Sequence, residues 1–403
     1  MIDFNRPHLT GKETEYMIEA VNRGKLSGNG EYTKRCQAFF EQRYGYKKCL
    51  LTTSGTDALE MCAMLCDLKP GDEVIVPSYT FVSTALAFLR EGAKVVFADS
   101  GKDNPNIDPA LIESLITPRT KVIAPVHYAG IACDMDAIMA LAEKYNLLVV
   151  EDNAQGLDSY YTSNTTHQIL PLGSIGHLAA ISFHETKNIT AGGEGGLLII
   201  NDERFIRRAE ILWEKGTNRA EFFRGEVNKY GWVDMGSSFL PAEINAAFLW
   251  AQLENLDDIQ NKRKQLWNRY WELLSEIWET SYIKHHTYPF ELPQIPDYAT
   301  NNAHMFYLIF PDLEKRTKFI AYLKEHDIQA VFHYLALHKS VYYRHLLESE
   351  EIPLAHYGER EGDRGFLPQC DRYADCLVRL PMFYDLTIEQ VEEICDVIAI
   401  YFV

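Results

Sequence analysis

A rhythm of short apolar runs, alternating with longer amphipathic stretches, decides most of what this chain can fold into. The runs are Lys48–Thr52, Glu73–Pro77, Lys94–Asp99, residues 121–126, Leu147–Asp152, Leu178–Phe183 and Leu197–Ile200. None alternates apolar with polar, as a strand wetted on one face would. Between the early runs lie stretches with helical spacing: 32–44, 55–68, 82–91, 108–116 and 134–145. Unbroken apolar strands separated by amphipathic helices predict a parallel or mostly parallel sheet covered on both faces. In such sheets a ligand sits beyond the carboxyl ends of the strands. Ser54–Thr56, Ser78–Phe81, His127–Tyr128 and Asp152–Gln155 all fall at those ends.

The rhythm breaks twice. The segment 158–172 is polar and without period, which predicts an exposed loop or a short extension. After residue 280 the pattern becomes strand-like Met305–Phe310, helix 313–326, strand-like Ala330–Tyr334 and a last helix 387–400. With 403 residues, about two domains are expected. We place a large one at 1–255 and a smaller α+β one at 256–403, with the N-terminal segment packing on the smaller.

The net charge of −18 repels nucleic acid and anionic membrane, and argues against both as partners. No run of about 18 apolar residues offers a membrane span, and the polar start MIDFNRPHLTGKETEYM carries no apolar signal core. The eight cysteines include no CxxC pair, and Cys62 and Cys66 sit one helical turn apart in an apolar stretch. Reduced thiols in a cytoplasm, core packing and no metal site are the expectation.

The chemistry converges on Lys187. It stands in SFHETKN, delivered by one apolar run and followed by the glycine-dense turn Gly192–Gly196 before the next. A lysine between two buried strands suits a nucleophilic amine better than a plain surface charge. Asp152 closes a buried strand. Gly55 and Thr56 open a helix after a strand, a place where free N–H groups and the helix dipole favour a phosphate, with Ser182 nearby. Phe81, at the next strand end, offers a flat ring, and Gln155 follows Asp152 by one turn. Each alone has a plainer explanation: Asp152 as a helix cap, Phe81 as core, Ser182 as a strand residue. Together they match the needs of pyridoxal phosphate. Lys187 would form the Schiff base, and Asp152 would keep the pyridine nitrogen protonated. Phe81 would lie against the ring, Gln155 would meet its hydroxyl, and the Gly55–Thr56 turn with Ser182 would hold the phosphate. No GxGxxG follows the early strands, which argues against a nicotinamide-binding fold.

From Asn5 to about Phe402 the chain resembles the DegT/DnrJ/StrS family of sugar aminotransferases. TSGTDALE, KPGDEVIVPSYTFVSTA, PVHYAG, VVEDNAQG, GSIGH, ISFHETKN, TAGGEGG and EKGTNR carry the resemblance. It implies the aspartate-aminotransferase-like fold (type I): a mostly parallel, mixed seven-stranded sheet in the large domain and a smaller α+β C-terminal domain. It also implies pyridoxal 5'-phosphate, L-glutamate as donor and a nucleotide-linked keto sugar as acceptor. FFRG at 222–225, NAHMFY at 302–307 and VFHYLALH at 331–338 look closest to members acting on a dTDP-sugar at C4. A homodimer with sites at the subunit interface is implied as well. Many members place a neighbouring-subunit asparagine on the phosphate; here Leu240 stands in that place, and Ser237 or Ser238 is the expected substitute. Ser27, Asn29, Gly30, His304, Tyr307, His333, Tyr334 and His338 are expected sugar-nucleotide contacts. Arg219 or Arg224 would take a glutamate carboxylate or the nucleotide phosphates. A C4 epimer of the product and a non-catalytic member of the fold are the alternatives. The intact Lys187 and Asp152 argue against the second.

Overall fold

A computed structural model describes residues 1–285, 288–349 and 366–402. Its centre is a seven-stranded sheet. In chain order we label the strands β1 (Lys48–Thr52), β2 (Glu73–Pro77), β3 (Lys94–Ala98), β4 (Thr120–Ile123), β5 (Leu148–Asp152), β6 (Tyr160–Thr162), β7 (Ile169–Pro171), β8 (Leu178–Ser182), β9 (Gly196–Ile200), β10 (Phe306–Ile309) and β11 (Leu377–Leu380). The large sheet runs β1-β9-β8-β5-β4-β2-β3. Pairs β2–β3, β2–β4, β4–β5 and β5–β8 are parallel, whereas β9 runs antiparallel to both β1 and β8. Nearly every residue of these strands is buried, which explains their unbroken apolar sequence: helices cover both faces.

Burial splits by face. Val74 and Val76 of β2 pack with Leu59, Cys62 and Phe88 on one side, while Ile75 packs with Ile123, Ile138 and Val149 on the other. Each such buried aliphatic side chain contributes roughly 1.5–3 kcal/mol. A separate core gathers the long helix Leu256–His285, β10, β11 and the last helix, Ile388–Phe402, around Leu266, Tyr270, Phe306, Leu380 and Ile394. Ile2 joins this core, pairing with Ile328, and Phe4 O accepts the Met382 N–H at 3.3 Å.

Of the two readings of segment 158–172, the short extension holds: β6 and β7 form a hairpin, and Tyr161 of that hairpin bridges Ala299. One local expectation changes. Ala330–Tyr334 is not a strand. Only Val331 pairs, through a bridge to Arg379, and the chain then turns inward. No described helix is long and apolar enough to cross a membrane, and no described cluster of His, Cys, Asp and Glu could hold a metal.

Candidate active site

A cavity of about 460 Å³ opens at the carboxyl ends of the parallel strands. Gly55, Thr56, Phe81, Asp152, Gln155, Ser182 and Lys187 all line it, together with His304, His333 and Tyr334. The placement follows from topology. β9 lies between β1 and β8, so the turn after β1 and the turn after β8 meet across a single strand. That meeting is close: a Cβ on Gly55 would lie 2.7 Å from the Ser182 Cβ, and one on Gly196 would lie 2.2 Å from Ser54 O. Only glycine allows backbone to pack at those distances.

The helix Gly55–Leu65 starts at this contact. Ser54 is its cap, its Oγ accepting the Asp57 N–H at 3.0 Å. The N–H groups of Gly55 and Thr56 have no helical carbonyl to reach, and they sit where the dipole favours an anion. Thr56 Oγ1 shares a 2.7 Å hydrogen bond with Ser83 Oγ.

Asp152 is 4% exposed, and its carboxylate is held from two sides. Thr84 Oγ1 donates to Oδ2 at 2.6 Å, and the Ala154 N–H donates to Oδ1 at 3.1 Å. Thr84 spends its proton there, so its 2.9 Å contact with Thr80 must be donated by Thr80. Burial raises the Asp152 pKa, while Thr84, Ala154 and the charge of Lys187 oppose the rise. A further cation facing this carboxylate relieves the same burial. Beneath it, Glu151 accepts the N–H groups of Gly173, Ile175 and Gly176 and a 2.8 Å hydrogen bond from His127 Nε2. The end of β5 is thereby fixed in place.

Lys187 arrives on a loop closed by its own hydrogen bonds. Ala191 N–H donates to Phe183 O, Glu185 N–H to Gly193 O and Lys187 N–H to His184 O. Gly192 and Gly193, at φ 83° and 114°, take the left-handed turn that lets the chain return. Loss of water around the amine pulls the Lys187 pKa down to about 8, with Asp152 opposing and Arg379 assisting.

Next to the lysine, Asn188 sets the tautomer of His304. Asn188 Nδ2 lies 3.0 Å from Asn302 O and 2.8 Å from Gln260 Oε1. A carbonyl only accepts, so this atom is the amide NH2. Its Oδ1 therefore faces His304 Nδ1, 2.8 Å away, and that ring nitrogen must carry the proton. Burial holds His304 well below its ordinary pKa. It offers the cavity an unprotonated Nε2, an acceptor.

His333 and Tyr334 stack at 3.5 Å, and Tyr128 OH meets His333 Nδ1 at 2.7 Å. Gln155 bridges two elements, accepting the Ala129 N–H at 2.7 Å and donating to Tyr334 OH at 2.9 Å. Phe81 is 54% exposed at the cavity rim, where a core residue would be buried.

Other expected residues lie elsewhere. Tyr307 is 1% exposed, because β10 alternation turns it into a cluster with Tyr128, so it cannot reach a ligand here. His338 is packed against Ser78 Oγ at 2.7 Å, outside the cavity lining. Ser27, Asn29, Arg219 and Ser238 line a second crevice of about 760 Å³, not the lysine cavity. Arg219 there faces Glu214 at 3.9 Å, and Arg224 is paired with Glu210 and Glu226 at 2.8 and 2.7 Å. Gly30 N–H is bound to Glu243, and the Ser237 backbone is pinned by Leu212 and Lys215. The β6–β7 hairpin contributes nothing to the cavity lining. Residues that the sequence reading passed over are Thr84, Asn5, Glu194 and Arg379. For Thr84 the signal was its spacing of one helical turn from Thr80; for Arg379 there was none in the sequence.

The residues present fit pyridoxal phosphate. An amine with a lowered pKa, a buried carboxylate eased by a facing cation, an exposed ring and a cradle that a Cβ would fill all border one cavity. Residues 7–399 match the DegT/DnrJ/EryC1/StrS aminotransferase family. The spore coat polysaccharide biosynthesis protein SpsC of Bacillus subtilis (strain 168) is 30% identical over 98% of this chain and 96% of its own. S. venezuelae DesV, solved with a ketimine intermediate, is 26% identical with a TM-score of 0.83, covering 100% of this chain and 98% of its own. Spr1654 of Streptococcus pneumoniae in its PMP form shares the fold, with a TM-score of 0.83 at 24% identity over 100% of this chain and 97% of its own. The seven-stranded mixed sheet is thus the sheet of these aminotransferases, and the chain belongs to the DegT/DnrJ/EryC1/StrS family of sugar aminotransferases.

Proposed function

We propose that this protein transfers the amino group of L-glutamate to C4 of dTDP-4-dehydro-6-deoxy-D-glucose, giving dTDP-4-amino-4,6-dideoxy-D-galactose and 2-oxoglutarate. The product would feed a surface polysaccharide such as an O-antigen or enterobacterial common antigen, made from cytoplasmic nucleotide sugars. The observation that carries the aminotransferase part is the pairing of Lys187 with Asp152 across one cavity. The sugar rests on the motifs at 222–225, 302–307 and 331–338, and the relation to a polysaccharide biosynthesis protein supports the setting.

Pyridoxal 5'-phosphate, when bound, supplies the electron sink that makes the donor's Cα proton removable. The chain supplies the rest. Lys187 would hold the cofactor through its amine and, once freed by the donor, would take the proton from the donor's Cα and pass it on to the cofactor. An amine near 8 can do both near neutral pH. Asp152, its carboxylate aimed by Thr84, would hold the ring nitrogen's proton. Phe81 would cover a ring face, and Gly55, Thr56 and Ser182 would hold the phosphate. His304 Nε2 can accept a hydrogen bond from a sugar hydroxyl.

We also infer a homodimer. Phe81, Phe223, Trp232 and Met235 are 54%, 70%, 81% and 68% exposed in the single chain, an unusual number of large apolar groups to leave wet. The second crevice, with Ser27, Asn29, Arg219 and Ser238, would then serve the neighbouring site. Purified protein, L-glutamate and a panel of nucleotide keto sugars test the reading, with NMR of the amine at C4. No aminated sugar, or transamination by Lys187→Ala, overturns it; the gluco epimer overturns the product alone.

A further inference from the structure

The turn that leads from the lysine loop into β9 carries a single side chain: Glu194, between Gly192–Gly193 and Gly195–Gly196. Its backbone is pinned on both sides of that residue. Glu185 N–H donates to Gly193 O at 2.9 Å, and Phe183 N–H donates to Gly195 O at 2.8 Å. Gly193 N–H in turn donates to Thr190 Oγ1 at 3.2 Å. The fit is tight, since a Cβ on Gly195 would lie 2.6 Å from the Ala191 Cβ. Glu194 is thus presented from a fixed base, and it lines the cavity of Lys187. Among the described residues no donor reaches its carboxylate at hydrogen-bond distance. The group it faces is His184 Nε2, 3.7 Å away. His184 lines the same cavity. Its Nδ1 accepts the Thr186 N–H at 3.2 Å, with Thr186 Oγ1 at 2.9 Å. A ring nitrogen that accepts an N–H carries no proton, so the neutral ring bears its proton on Nε2. That N–H faces the carboxylate across a gap too wide for a hydrogen bond. The contrast is His127 and Glu151, a second pair of the same kind, closed at 2.8 Å and wholly buried. The side chains of His184 and Glu194 are 38% and 64% exposed, open to whatever fills the cavity.

A donor and an acceptor this close, neither with a partner, are bridged by one group that both accepts and donates. A hydroxyl does so. A carboxylate or phosphate accepts from His184 but is repelled by Glu194. An ammonium donates to Glu194 but cannot accept, and a keto oxygen cannot donate. The amino donor L-glutamate has no hydroxyl, whereas the acceptor sugar has several. Lys187 follows His184 by three residues and borders the same space, so the hydroxyl concerned lies close to the carbon that receives the amine. In a 4-keto-6-deoxy sugar, C5 bears the ring oxygen and a methyl group. The sole hydroxyl on a carbon next to C4 is therefore the one at C3. We propose that His184 and Glu194 together read this 3-hydroxyl, His184 donating to its oxygen and Glu194 accepting from its O–H, an inference that rests on the acceptor named above. His304 cannot replace the pair, because its Nε2 only accepts. Held at C3, the sugar has its keto carbon set toward the lysine, and a sugar lacking that hydroxyl leaves the carboxylate and the ring N–H without partners.

The test uses cofactor-loaded wild-type protein, Glu194→Ala, Glu194→Gln and His184→Asn, whose amide oxygen still accepts from Thr186. Each is titrated calorimetrically with dTDP-6-deoxy-D-glucose, which has a hydroxyl in place of the keto group, and with its 3-deoxy counterpart. Neither has an amino group or ketone to react, so binding is read without turnover. The ratio of the two affinities is taken within each protein, which removes any general loss from a disturbed loop. In wild type the 3-deoxy sugar should bind more weakly on the order of 10- to 100-fold. The ratio should shrink to within about 3-fold in Glu194→Ala and His184→Asn, with Glu194→Gln between. Equal binding of the two sugars by wild type, or a ratio that persists in Glu194→Ala and His184→Asn, overturns the assignment. Wild-type protein that binds neither nucleotide overturns the dTDP-sugar reading, and this assignment with it.

Discussion

The pKa of Lys187 can be read directly from the rate at which the cofactor-free chain captures an aldehyde. Only the neutral amine adds to a carbonyl. With a pKa of about 8 in place of 10.5, the neutral fraction at pH 7 is about 9% instead of about 0.03%, a gain on the order of 300-fold. The assay is rapid mixing of cofactor-free protein with pyridoxal phosphate between pH 6 and 10, following the absorbance change of imine formation. Borohydride trapping and peptide mass analysis would locate the label on Lys187. The rate should rise about tenfold per pH unit and level off near 8. A rate still rising beyond pH 9 would refute the argument that burial outweighs Asp152 at this amine. The same depression predicts a stability trend. The folded value lies below the unfolded one, so the unfolded chain binds more protons between about 8 and 10.5. The Lys187 contribution to stability should therefore increase with pH across that window and be unfavourable below it.

Thr84→Val keeps the volume but removes the donor to Asp152 Oδ2; kcat should fall about 10-fold or more with the sugar KM nearly unchanged, measured in steady state. Gly55→Ala would bring a Cβ to 2.7 Å from the Ser182 Cβ, so cofactor retention after dialysis should drop about 10-fold while far-UV circular dichroism stays the same. Glu243→Ala strips a buried carboxylate from the start of the helix Glu31–Tyr44, where it accepts the N–H groups of Gly30, Tyr32 and Thr33. Urea unfolding should show a loss of about 3 kcal/mol or more, and Glu243→Gln a smaller one.

The core of the site was legible because strand ends were. β1, β2, β5 and β8 are apolar on both faces, as covered strands are, and all four run the same way, β1 and β8 through the antiparallel β9 between them, so their carboxyl ends share one edge. Gly55, Phe81, Asp152 and Lys187 therefore had to meet. What escaped notice did so for local reasons. TSNTT, at 162–166, has no period, so nothing marks the turn of the β6–β7 hairpin. VFHY at 331–334 has the β-branched and aromatic content of a strand, yet only Val331 pairs, and His333 and Tyr334 are used as a cavity wall. NAHMFY holds two plausible contacts. His304 lies before β10, and Tyr307 within it is carried to the other side by strand alternation. Arg379 in VRLP looks like an ordinary strand residue with its charge in water. That no acid among the described residues meets it is a property of the packed molecule alone.

The insertion of β9 between β1 and β8 has a consequence for synthesis. The turn proposed to cradle the phosphate emerges near residue 55 and the lysine near 187, but neither holds the other until Gly196–Ile200 has been made and has zipped against both neighbours. Until then β1 lacks its partner in the large sheet, and the first half of the chain is a set of strands with one apolar edge open. At about 5–20 residues per second, roughly 7 to 30 seconds separate the two halves of the proposed cofactor site. Ribosome-bound chains ending before this strand should neither bind pyridoxal phosphate nor be protected by it, and a supply of cofactor can assist folding only from the middle of translation onward.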